Sequence, residues 1–133
     1  METKKYTISM PLHVLLKNKK YSINMNPFRN WHFQEKSRVK NQYQVLASRE
    51  ICKLPLMDKI KLEFKLIPGD KIRRDRANVC ALHEKFFCDA LTKCRIIEDD
   101  CDRFIESTFY HSGEIDRKNP RMEITVIEVT SKN

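Results

Sequence analysis

The residues best suited to chemistry lie between positions 75 and 100. A basic run, Arg73, Arg74 and Arg76, surrounds Asp75; Asn78, Glu84, Lys85 and Asp89 follow; and an acidic turn holds Glu98, Asp99, Asp100 and Asp102. Carboxylates beside arginines are the parts needed to hydrolyse a phosphodiester. Magnesium prefers oxygen ligands and keeps several of its waters, so two or three carboxylates suffice to hold it. The bound ion stabilises charge developing on the phosphate and lowers the pKa of a bound water. Asp75, Asp99 and Asp100, with Glu84 as a further donor, are the candidate metal ligands. Arg73, Arg74, Arg76, Lys71 and Arg29 are the candidate DNA contacts, and manganese is the alternative ion. Each residue also has a structural explanation. Asp75 stands where a helix N-cap belongs, Glu84 and Lys85 fit a solvated helix face, and Asp99 with Asp100 fits an ordinary acidic turn. His83 lies near an apolar helix face and reads as a core histidine rather than a base.

The elements that must position these groups follow from hydrophobic periodicity. Residues 59–67, KIKLEFKLI, alternate apolar and charged, the period of a half-buried strand, and Pro68 and Gly69 end it. From Arg76 to Lys93 apolar residues recur every three or four positions, which predicts an amphipathic helix able to cover a sheet. Residues 4–10 read as a first strand broken by Pro11, residues 34–52 as a polar helix, and residues 103–110 and 121–129 as strands separated by a ten-residue loop. Between Lys17 and Lys40 seven Lys/Arg accompany one acid, with Tyr21, Phe28, Trp31 and Phe33 interleaved. That mixture suits a phosphate-binding arm with stacking rings, and equally a loop whose aromatics anchor it to the core.

Length and charge narrow the class. A chain of 133 residues has room for one domain with one core, so residues 1–133 are expected to form a single unit. With 41% hydrophobic and 33% charged residues the composition is that of a globular protein. No apolar run approaches the roughly 20 residues needed to cross a bilayer. The opening METKKYTISMPLHVLLKNKK is interrupted by Lys and Asn and does not read as a signal peptide, which makes a cytoplasmic protein the expectation. The net charge of +8 is unevenly distributed. Residues 1–74 hold 17 Lys/Arg against 6 Asp/Glu, whereas residues 75–133 hold 9 against 12, so the basic half suits a polyanion. Cys52, Cys80, Cys88, Cys94 and Cys101 include no CxxC pair and read as free thiols of a reducing compartment rather than a zinc site.

The stretch RRDRANVCALHEKFFCDALTKCRIIEDD, residues 73–100, resembles the central signature of the RusA family of Holliday junction resolvases. That signature is a basic run entering D-x-D-N, a helix with K-x-x-x-D-A-L, and a turn ending in D-D. Asp75 and Asn78 match the start, Lys85 with Asp89-Ala90-Leu91 the helix, and Asp99-Asp100 the end. The segment NMNPFRN, residues 24–30, more loosely resembles the part that follows the family's first strand. The second aspartate of D-x-D-N is Ala77 here, and four extra residues precede the DAL segment, close to one 3.6-residue helical turn.

The resemblance implies an α+β domain with a mixed, mostly antiparallel sheet packed by two helices, and a homodimer acting on four-way DNA junctions in recombination and repair. It implies magnesium-dependent hydrolysis with Asp75, Asp100 and Lys85 as catalytic residues and with Asp75, Asp99 and Asp100 at the metal; Glu84, the nearest added carboxylate, is the candidate to replace the one missing at Ala77, although an ideal helix sets it about 100° round from Lys85. The competing readings are a non-catalytic binder of branched DNA that has lost a ligand, and an interaction protein whose positive charge recruits an acidic partner.

Overall fold

Alternation along KIKLEFKLI does what the pattern requires. In the computed structural model, which describes residues 4–71 and 75–129, Ile60, Leu62, Phe64 and Leu66 are buried while Lys61, Glu63 and Lys65 face the other side. This strand, β4 (Ile60–Ile67), pairs antiparallel with β6 (Arg121–Glu128), which pairs antiparallel with β1 (Lys5–Met10). On its other edge β4 pairs in parallel with β5 (Ile105–Ser112), giving the order β1-β6-β4-β5. Register places apolar residues opposite one another on the inner face: Leu62 with Val126, Phe64 with Ile124, Leu66 with Met122, and Ile8 with Ile124. Burying each such side chain contributes about 1.5–3 kcal/mol. The sheet is mixed and mostly antiparallel, as expected.

Three helices cover that face. Helix α1 (Met25–Asn30) is short; α2 (Phe33–Ile51) and α3 (Arg76–Lys93) are the long ones. The sequence reading of two helices thus holds for the long pair and lacks the short third. Helix α3 is the crossover between the parallel strands β4 and β5, so its start lies at the C-terminal ends of those strands and its end leads back to the N-terminal end of β5. It buries Val79, Leu82, Phe86, Phe87, Ala90 and Leu91. No helix of the described residues is long and apolar enough to cross a membrane.

A hairpin in the basic arm went unread: β2 (His13–Leu16) pairs with β3 (Lys19–Ser22). Its two turn residues, Lys17 and Asn18, both have positive φ, 48° and 66°, the type I′ geometry that favours Asn and Gly. Lys-Asn is a weak signal for it. Within this arm Trp31 packs edge to face on both Tyr21 and Phe28, and Phe28 reaches Phe86 of α3. Those three rings anchor the segment to the core; Phe33, 69% exposed, does not.

Candidate functional site

Helix α3 carries or flanks most of the candidate residues, and its ends are fixed by local chemistry. Asp75 is the N-cap: one carboxylate oxygen accepts the Asn78 backbone N–H at 3.3 Å and the other accepts the Asn78 side-chain amide at 2.7 Å. This satisfies one of the N–H groups that a helix start leaves unpaired. At the far end the Arg95 N–H donates to the Thr92 carbonyl and the Ile96 N–H to the Leu91 carbonyl, both at 3.0 Å. This is a Schellman stop, with Arg95 at φ 60° in the position glycine usually takes.

The 18 residues of α3, at 1.5 Å each, span about 27 Å. Asp75 and the Asp99-Asp100 turn therefore lie beyond opposite ends of one helix. What the fold brings near Asp100 is the middle and C-terminal part of α3. Glu84, Asp89 and Asp100 all act on the Cys88 thiol, whose pKa is raised first by burial and then by these three carboxylates. The Asp100 N–H donates to Asp99 Oδ1 at 2.8 Å. The Asp100 carboxyl is raised above the usual carboxylate range by partial burial first, then by Asp99, with Asp89 adding repulsion. A site where negative charge is disfavoured in this way is one that a cation would relieve.

Tyr110, on the helix-facing side of β5 with its ring against Phe64, donates its hydroxyl to Glu84. Burial, then Glu84, pushes the Tyr110 pKa up, so the phenol keeps its proton and remains a donor. Tyr110 was not among the residues singled out in the sequence. The link between Glu84 on α3 and Tyr110 on β5, 26 positions apart, exists only in the folded chain. Asp89 is held by Lys40 of α2 at 2.6 Å. Among the described residues no three His, Cys, Asp or Glu side chains gather closely enough to hold a metal ion by themselves. The donors are nevertheless oxygens of the right kind, and magnesium commonly takes one or two carboxylates, leaving its other positions to water and phosphate.

The basic candidates divide by position. Lys85 and Lys36 both place Nζ over the Phe28 ring, at 5.5 and 5.0 Å, which joins α1, α2 and α3 into one cationic surface with the exposed Arg29. Arg76 lies at the opposite end of α3, where its guanidinium donates to Ser112 Oγ at 2.9 Å. Lys71 is exposed in the segment after β4. Arg73 and Arg74 lie outside the described residues.

His83 is fully buried. Burial raises the pKa of Tyr43, so its hydroxyl is the donor to His83 Nδ1 at 2.7 Å. The proton of the neutral ring must then sit on Nε2, which is buried without a partner among the described residues. Burial pushes the imidazole pKa down to about 3, which makes it a core residue, as its place near the apolar face suggested.

The sequence matches no protein-family model and no curated protein.

Proposed function

We propose that this chain is a metal-dependent endonuclease of the RusA type, acting on Holliday junctions or other branched DNA in recombination and repair. The observation that carries the reading is the Asp99-Asp100 turn after α3, where partial burial and Asp99 hold the Asp100 carboxyl up, in a chain whose helices also present Lys36, Lys85 and Arg29. In this reading Asp100 and Asp99, with Glu84 as a further donor, would hold Mg2+, or Mn2+ in its place, and the bound metal would supply polarisation of the phosphate and a lowered pKa of a bound water. Tyr110 fixes the Glu84 carboxylate, Lys40 fixes Asp89, and Lys85 meets the phosphate and stabilises charge developing there. Asp75, which caps the start of α3, is the remaining candidate metal ligand, and Arg76 beside it would contact the DNA. Two copies of the chain would place two such sites on a junction, since symmetric cutting takes two.

A second reading is favoured by one specific observation. Both oxygens of Asp75 are engaged by Asn78 at the start of α3, and Ala77 offers no ligand, which fits a protein that binds branched DNA without cutting it. Incubating the protein with a synthetic four-way junction, with and without Mg2+, separates the two. Cleavage only with the metal supports the endonuclease. Salt-dependent binding without cleavage supports the binder, and absence of binding removes both.

A further inference from the structure

Helices α2 and α3 end side by side, and a cysteine occupies the C-cap of each: Cys52 on α2 and Cys94 on α3. Their sulfurs stand 3.8 Å apart, the Cys52 thiol donating to Cys94, while Cys94 donates in turn to Ser48 Oγ at 3.6 Å. Cys52 is exposed and Cys94 half-buried, whereas Cys80 and Cys88 are buried. A disulfide bond is about 2.05 Å long, so closing this one needs the sulfurs to approach by under about 2 Å, within reach of side-chain rotation at an exposed helix end.

We propose that Cys52 and Cys94 form a reversible dithiol site, oxidised to an intramolecular disulfide by hydroperoxides and able in its reduced form to chelate trivalent arsenicals. The Cys52 thiol gives up its proton and the thiolate attacks the outer oxygen of the hydroperoxide. The O–O bond breaks, the alcohol leaves with that proton, and Cys52 becomes a sulfenic acid. The Cys94 sulfur then attacks the Cys52 sulfur. The S–O bond breaks, hydroxide leaves, and it takes the Cys94 proton to become water. Two thiols are oxidised and one peroxide is reduced to alcohol and water. The hydrogen bond that the Cys52 thiol donates to Cys94 holds the Cys52 pKa up, which keeps Cys52 a thiol at rest.

The bond would tie together residues 42 positions apart. It would also fix the start of the segment that carries Asp99 and Asp100, a segment otherwise held by the Met57 N–H on the Ile96 carbonyl at 2.8 Å. Two observations favour this pair over the other thiols. They touch, and the helices bearing them are already locked by Lys93 Nζ on Gln44 at 2.8 Å and by Gln44 on the Phe86 carbonyl at 3.2 Å. The sulfurs therefore meet in a fixed frame and not by chance encounter.

The test uses the full chain carrying Cys101→Ser, which removes the remaining exposed thiol. Reduced protein is treated with a small excess of hydrogen peroxide, alkylated, and digested without reduction. The expected result is a peptide pair joined through Cys52 and Cys94, two fewer alkylatable thiols, monomeric migration on a non-reducing gel, a raised Tm, and full reversal by dithiothreitol. In a parallel arm phenylarsine oxide should bind the reduced protein at one per chain. Cys52→Ser and Cys94→Ser should each abolish that binding; Cys80→Ser should not. Cross-links through other cysteines, only intermolecular dimers, or arsenical binding that survives Cys52→Ser would overturn the proposal. Since Cys52 is exposed, Cys52→Ser should fold normally, and an unchanged far-UV spectrum checks this.

Discussion

At the scale of single residues, the carboxylates differ in what holds them. Asp100→Asn removes a charge without changing shape, and under the endonuclease reading it should lower metal-dependent cutting by at least about 100-fold, since even the outer partners of a metal site are worth about 10–100-fold. Junction binding should survive. Single-turnover cleavage with a parallel binding assay checks both, and cutting at the wild-type rate would remove Asp100 from the site. Tyr110→Phe is the subtler change, because it frees Glu84 while leaving the ring against Phe64. It should cost about 10–100-fold in cutting and be rescued in part by raised Mg2+. His83 permits a prediction about pH. Its folded pKa, about 3, lies below the unfolded value near 6.5, so the unfolded chain binds the extra proton. Stability from this residue is complete above about pH 6.5 and falls as pH drops toward 3. His83→Gln can still accept from Tyr43 but does not titrate, so its Tm should fall less steeply than the wild type over that window.

At the scale of elements, α3 is governed by its two ends. Asp75→Ala should cost about 0.5–2 kcal/mol in denaturant unfolding, whereas Asp75→Asn, a good cap itself, should be close to neutral. If Asp75→Asn also leaves cutting intact, the residue is a cap alone; loss of cutting at unchanged stability would return it to the chemical site. Arg95 sits in the left-handed region at the other end, a conformation that costs a residue with a Cβ about 1–2 kcal/mol. Arg95→Gly should therefore stabilise the protein by up to about 1 kcal/mol once the added freedom of the unfolded chain is counted. A loss of stability would show that the Arg95 side chain contributes more than the strain it carries.

At the scale of the whole molecule, Arg29 and Lys36 from the basic first half of the chain join Lys85 of α3 in a surface shared by three helices. If that surface meets DNA, Lys36→Ala and Lys85→Ala should each reduce the slope of log K against log salt by about 0.9, the counterion release of one phosphate contact. They should weaken duplex and junction binding alike. An unchanged slope would place the DNA elsewhere, with Arg76 at the opposite end of α3 as the next residue to vary.

What the sequence determined by itself was the longer regular elements, because strand and helix leave periods of two and 3.6 in the order of apolar residues. Strand β4 and helix α3 were legible almost to the residue for that reason, and Asp75 as a cap because capping is local. The hairpin was missed because its turn is built from Lys17 and Asn18 without the usual glycine. Which acids stand together was decided only in three dimensions. Asp75 and Asp100 look like parts of one motif in the linear chain, and in the fold one precedes α3 as its cap while the other follows its end and acts on Cys88. The crossover from β4 to β5 instead sets Tyr110 against Glu84, residues 26 positions apart, and the packing of α2 on α3 sets Cys52 against Cys94. Neither contact leaves a periodic trace in the sequence, because each depends on how separate elements are stacked.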